Sequence, residues 1–175
     1  MGIELELVDR RTILLNDDAW RWIAVKRFRQ DRPSEHPESD VLPALLSNPS
    51  YVDDHASPDG RTYAFAEGST AEPIHGRYRL DALSPDLFDL VSPDHASAVL
   101  TGWLEQEGPF NSEPVEGDLD EVFDLLRQSP MIFQLRTLGD EALHDWGWVV
   151  GKQGFHELVV VEPEGGVVVI VAGHD

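Results

Sequence analysis

The run Val167-Val168-Val169-Ile170-Val171 constrains this chain more than any other feature. All five residues are β-branched, which favours a strand. Successive side chains of a strand leave opposite faces. A strand of this composition therefore hides both faces and needs a place inside a sheet with a cover on each side. At 175 residues the chain is long enough to supply both from a single domain, 1–175.

The flanking sequence predicts where the neighbours come from. Strands are predicted over 131–138, 146–150, 155–161 and 167–172, with 162–166, ending in Gly165-Gly166, as a hairpin loop. Four consecutive strands with short connections predict an antiparallel meander. The covers must then be helices from upstream. Ser84-Pro85-Asp86 and Ser92-Pro93-Asp94 are helix starts with a serine cap and proline in the first turn. They predict a short helix over 85–90 and a longer one over 93–106. Leu119, Val122, Phe123 and Leu126 make an amphipathic helix over 118–127. A further short helix is predicted around 41–46. Asn16, Asp17 and Asp18 offer cap chemistry ahead of good helix formers, which predicts a helix over 17–30. Two strands, 3–8 and 11–15, precede it. Pro58-Asp59-Gly60 is a turn signal ahead of a strand over 61–66, and another is predicted over 76–80. Segments 31–60 and 108–117 read as loop-rich. Helices and antiparallel strands in separate runs give the α+β class, with a C-terminal four-stranded meander packed on short helices.

Charge narrows the function. The chain holds 33 acids against 13 bases, a formal net charge of −20. That sign excludes non-specific binding to nucleic acid and disfavours an anionic membrane surface. The excess is unevenly placed. Residues 1–32 carry seven bases and six acids, so all of the surplus lies downstream. Glu113, Glu116, Asp118, Asp120, Glu121 and Asp124 form an acidic run without a base among them. One reading makes this run a surface that steers a basic partner inward. A competing reading sets it against the basic cluster Arg21, Lys26, Arg27, Arg29 and Arg32 within the fold. A third takes the acidity as solubility or salt adaptation, since only Lys26 and Lys152 are lysines.

Motifs for chemistry are missing. Zero cysteines exclude disulfides, a thiol nucleophile and Cys-built metal sites. There is no phosphate-binding glycine loop, nucleophile elbow, Ser-x-x-Lys or His-Glu-x-x-His, so no cofactor is implied. The stretch 53–60 fails the EF-hand spacing, which leaves Asp53, Asp54 and Asp59 as a weak cation site or a solvated turn. None of the seven histidines stands three to five residues from another. His144 and His156 lie on adjacent predicted strands and are weak metal candidates. His156, in an apolar strand, needs a partner. Trp146 and Trp148 share one strand face and suit either an interface anchor or the core.

Acids at Glu4 and Glu6 do not fit a signal peptide, and no apolar stretch approaches the ~20 residues of a membrane span. The expectation is a soluble, cytoplasmic protein. In composition alone, the profile is similar to that of bacterial toxin-neutralising immunity proteins, and no site residue carries over. The leading expectation is a stoichiometric inhibitor or immunity-type protein that binds a basic protein partner. It would use the acidic run from Glu113 to Asp124 together with Trp146 and Trp148. The alternatives are a regulatory or structural assembly partner and a hydrolase-type enzyme with a scattered His/Asp/Glu site.

Overall fold

The valine run is the middle of a sheet. In the computed structural model, which describes residues 2–15, 21–53, 55, 72–106, 113–144 and 154–174, strand β8 (Val167–His174) lies between β2 (Arg21–Gln30) and β7 (His156–Val161). The full order is β1-β2-β8-β7-β6-β5, with β1 Leu5–Leu14, β5 Phe88–Val91 and β6 Met131–Leu135, and every pair is antiparallel. The chain is thus α+β.

Both faces of β8 are covered. Val167, Val169 and Val171 join Ala24, Phe28, Val159 and Val161 on one face. Over them lie α1 (Pro37–Leu46), with Val41, Leu42 and Leu45 buried, and the side chains of Tyr51, Tyr78 and Leu83. Val168, Ile170 and Ala172 join Ile23, Val25, Ile132, Leu158 and Val160 on the other. That face is covered by α2 (Pro93–Glu105) and α3 (Glu113–Gln128), which contribute Ala96, Leu100, Trp103, Leu119, Val122 and Leu126. Each fully buried aliphatic side chain contributes roughly 1.5–3 kcal/mol relative to exposure. Stability is therefore concentrated along β8. No helix among the described residues is long and apolar enough to cross a membrane.

The structure corrects several local expectations. Residues 21–30 are strand β2, not helix, and 17–20 lie outside the described residues. The reason is tertiary. A two-sided strand needs a neighbour on both edges, and the meander supplies only β7. The segment 21–30 meets the need by alternation, with Trp22, Ala24 and Phe28 on one face and Ile23 and Val25 on the other. The helix predicted over 85–90 is one 3₁₀ turn, Pro85–Leu87, that hands over to β5 at Phe88. This strand is the outer neighbour of β6, and the inner neighbour is β7 itself, so β6 has no free edge for the strand expected over 146–150. The strands expected over 61–66 and 146–150 lie outside the described residues. The two N-terminal strands are one, β1, with an irregularity between Leu7 and Asp9 in place of a turn. Helix α3 begins at Glu113, inside the segment read as loop, and α1 begins at Pro37, earlier than expected. Helix α2 starts where predicted, with the Ser92 hydroxyl accepting from the His95 N–H. The short strands β3 (Ile74–His75) and β4 (Tyr78–Arg79) form a separate hairpin, which turns at Gly76 with φ of 55°.

Strand β1 is a sheet edge ten residues long. Its bulge at Val8 and the charges of Asp9, Arg10 and Arg11 break the regular row of donors and acceptors that would recruit another strand. The layer logic predicts that Ile170→Ala, in the sheet centre, lowers unfolding free energy by about 2–4 kcal/mol. Leu90→Ala, at a side chain 64% exposed on the opposite edge strand, changes it by less than about 0.5 kcal/mol. Urea unfolding of the two variants measures the contrast.

Candidate functional site

Helix α3 presents its acids in two ways. Leu119, Val122 and Leu126 face the sheet, which turns Asp118 and Glu121 toward the outer end of β1 and β2. Arg11 reaches Asp118 at 3.4 Å and Glu121 at 2.9 Å. Arg27 reaches Glu121 at 3.3 Å and Glu162 at 3.1 Å. At these positions the acidic run and the N-terminal bases face each other. Such partly exposed pairs contribute at most about 1 kcal/mol each. Asp120 and Asp124 stand on the solvent side, and Asp124 pairs with Arg127 one turn on. Glu113 and Glu116 belong to the first turns of α3. Trp146 and Trp148 lie outside the described residues.

The histidine candidates separate. His144 places Nε2 2.7 Å from the carbonyl of Gly76, as a structural hydrogen bond. His156 is half-buried at the start of β7, and burial lowers its pKa. Among the described residues no group of three or more His, Asp or Glu side chains could hold a metal ion. Asp53 is no cation ligand either, because two protein cations already occupy it; Asp54 and Asp59 lie outside the described residues.

The densest polar chemistry lies elsewhere, inside the core on the α1 face of the sheet. Parity along β2 puts Lys26 on the same face as Ala24 and Phe28, and only 3% of it is exposed. Its Nζ lies 2.7 Å from Asp53 Oδ2 and donates to the Ser50 carbonyl at 2.7 Å. Arg10, opposite Lys26 on β1, approaches the same Asp53 oxygen at 3.0 Å. Asp53 is fixed by its backbone, whose N–H donates to the Ile74 carbonyl and whose C=O accepts from Gly76. Burial pushes the Asp53 carboxyl up, but the charges around it outweigh burial and hold it well below the usual carboxylate range. Burial lowers the Lys26 pKa, and Asp53 opposes that.

Beside this triad sits a second one. Glu157 is fully buried on β7 and accepts from the Tyr51 hydroxyl at 2.8 Å. Its other oxygen lies 2.8 Å from His75 Nε2. His75 Nδ1 lies 2.6 Å from the Tyr51 carbonyl, and the two rings stack with centroids 3.8 Å apart. A carbonyl oxygen only accepts, so Nδ1 carries hydrogen. Between Nε2 and the carboxylate one further hydrogen is required. The His75–Glu157 pair therefore holds one proton and is neutral overall. Burial, then the Glu157 charge, raises the Tyr51 pKa well above its ordinary value. Phe155 closes the cluster, edge-on to His55, His75 and Tyr78. It can do so because residue 76 is glycine; a Cβ there would stand 2.2 Å from the Phe155 ring.

In this conformation Lys26, Tyr51, Asp53, His55, His75 and Glu157 are buried among one another and only Arg10, 19% exposed, reaches solvent, so none of the buried groups is placed to meet a substrate. A general base must reach the proton it removes. Buried charges left unpaired would cost several kcal/mol each, and the pairing here satisfies them.

Sequence reasoning missed Tyr51, His55, His75 and Glu157, and it counted Lys26 only as part of a basic cluster. Some of this had a signal. In β7 the period of two sets Glu157 on the face of Val159 and Val161, toward the core, whereas its neighbour His156 points the other way. The residue in that strand that needed a partner was Glu157. His55 and His75 had no local pattern to reveal them.

Comparison with protein-family models, with curated proteins and with solved structures found no match to this chain.

The hydrogen-bond inventory separates two substitutions. Glu157→Gln keeps an acceptor for Tyr51 and a donor for a neutral His75, so it lowers stability by less than about 1.5 kcal/mol. Glu157→Leu strands both partners and costs about 3–5 kcal/mol. Urea unfolding at pH 7 tests the difference. Equal losses would disprove the hydrogen-bond assignment.

Proposed function

We propose that this protein acts by binding a basic protein partner stoichiometrically, as an inhibitor or immunity-type protein does, through the acidic outer side of its helical layer. One observation carries the reading: bases beside the helical layer are spent on contacts within the fold, while the outer side of α2 and α3 exposes acids. Arg21 is 1% exposed and donates to the carbonyls of Trp103 and Leu104 at 2.7 and 3.1 Å, where the C-terminal end of α2 is negative. Lys26 is locked to Asp53, and Arg11 and Arg27 lie across Glu121. Helices α2 and α3, by contrast, expose Asp94, Glu105, Asp120, Glu121 and Asp124 against a single base, Arg127.

The side of the molecule over the α2–α3 face is thus more acidic than the charge of the sequence run alone implies. A field of one sign raises the encounter rate with an oppositely charged partner and is screened over ~8 Å at physiological salt. Asp118 and Glu121 also anchor α3 to the sheet, so they are poor probes of binding. Asp120 and Asp124 are better ones, because neither pairs with the sheet.

The test immobilises the protein, passes the lysate of its source cells over it at low salt and elutes with a salt step. The expected outcome is one basic protein at a fixed molar ratio. Its association rate should fall about tenfold or more between 50 and 500 mM salt. The double variant Asp120→Lys, Asp124→Lys should retain its fold by circular dichroism and lose the capture. Retention that is indifferent to salt and to the double variant would refute the proposal.

A further inference from the structure

His55 occupies a setting that suits only its neutral ring. Its backbone has φ of 54°, a left-handed conformation that non-glycine residues seldom adopt. Its N–H donates to Asp53 Oδ1 at 2.8 Å. Its ring stacks on Trp22 with centroids 4.9 Å apart. Its side chain is 2% exposed, and Nε2 has no hydrogen-bond partner among the described residues.

Every element packed around it brings a charged or titratable group. Asp53 stands two residues before it, with Oδ2 3.8 Å from Nδ1. Arg10 comes from β1 and Lys26 from β2, both on Asp53. His75 comes from β3, Glu157 from β7 and the Tyr51 hydroxyl from the turn after α1. Lys26 and Arg10 together exceed Asp53 by one positive charge, and the His75–Glu157 pair adds none. A proton on His55 would add a second positive charge and a donor with no acceptor.

The polar contacts that fasten Asp53 and His55 to the sheet pass through the same cluster, while the hairpin is held as well by His144 on the Gly76 carbonyl and by the Leu138 N–H on the Tyr78 hydroxyl. Asp53 ties to Lys26 and Arg10, and Glu157 ties to Tyr51 and His75. The β3–β4 hairpin belongs to a separate sheet and joins Asp53 through a bridge at His75. We propose that this cluster is an acid-operated latch, in which protonation of His55 detaches Asp53, His55 and the β3–β4 hairpin while the β2-β8-β7 centre stays folded. Local opening of a weakly tied unit below the global unfolding free energy has ample precedent in protein physics.

The sign follows from linkage. Burial pushes the His55 pKa from 6.5 down to about 3, and the Asp53 charge opposes this. The opened segment takes the proton at its ordinary value, so acid favours opening. The opening constant rises about tenfold per pH unit below about 6.5 and levels off near 3. Asp53, held low, adds to this only below its ordinary range. His156 on β7 is also pushed down by burial, but it lies on the part that stays folded, so acid acts through it on global unfolding, and His156→Gln controls for that.

Amide hydrogen exchange by NMR from pH 7.5 to 4.5, corrected for intrinsic rates, tests the latch. The reporters are the amides of Asp53 and Gly76, bonded to the carbonyls of Ile74 and Asp53, against those of Val159 and Val169 in the sheet centre. In the wild type and in His156→Gln, the reporters should lose about 50-fold in protection between pH 6.5 and 4.5. The sheet amides should change less than threefold, and the loss should reverse on neutralisation. The His55 ring resonances of the closed form should stay those of the neutral imidazole over this range. His55→Phe should flatten the loss to under threefold. His55→Asn, which tolerates a left-handed backbone, serves if the phenylalanine does not fold. Unchanged reporters, a parallel loss in Val169, a closed-form His55 ring that titrates near 6.5 or an identical loss in either His55 variant would each overturn the proposal.

Discussion

A strand apolar on both faces cannot rest at the surface, and the architecture here is the set of conditions that β8 imposes. It needs hydrogen-bonding neighbours on two edges, which brings β2 and β7 to it. It needs apolar cover above and below, which brings α2 and α3 to one side and α1 with the tyrosines to the other. A sheet covered on both faces exposes only its edges, and those are blunted by a bulge and charges at β1 and by brevity at β5.

The same geometry decides where charge goes. Because β2 is sandwiched, its polar residues at core-facing positions have no route to water. Lys26 must find Asp53 inside, and Arg21 must find the α2 carbonyls. A buried ion pair adds little net stability relative to an apolar substitute, since desolvation offsets most of the attraction. Its effect is specificity: only one register of β1, β2 and the Asp53 segment brings Arg10, Lys26 and Asp53 together. Arg21, spent in this way, is withdrawn from the helical layer, whose exposed residues include Asp94, Glu105, Asp120, Glu121 and Asp124.

How much was legible follows the physics of each signal. The inward position of β8, the α+β class and the starts of α2 and the C-terminal strands rest on local parity and capping, and each can be read from a few residues. The pairing of the acidic run with N-terminal arginines was legible as an alternative, since opposite charges in excess on two segments are drawn together. The strand at 21–30 was misread because cap chemistry at 16–18 and helix formers are local, while the demand for a second neighbour to β8 is not. The buried cluster was the least legible. Tyr51, Asp53 and His55 are close in sequence, but His75 and Glu157 come from distant parts of the chain; Asp53 was singled out only as a cation ligand, and the parity of Glu157 was a signal that went unread.

The pairing of β2 with β8 joins the first quarter of the chain to its last residues. Closing so large a loop costs entropy before any ladder bond repays it, and topologies of this kind fold slowly. On the ribosome the order is stricter. The β1–β2 hairpin emerges well before β8, with the apolar residues Ile23 and Val25 and the Lys26 side chain bare until that neighbour is made. Until then the hairpin's open edge is a template for any other strand in reach. The bulge and charges on β1 guard only the far side. A chaperone that shelters the nascent β1–β2 hairpin until β8 is made would therefore raise the yield of folded chains more than one that acts after release.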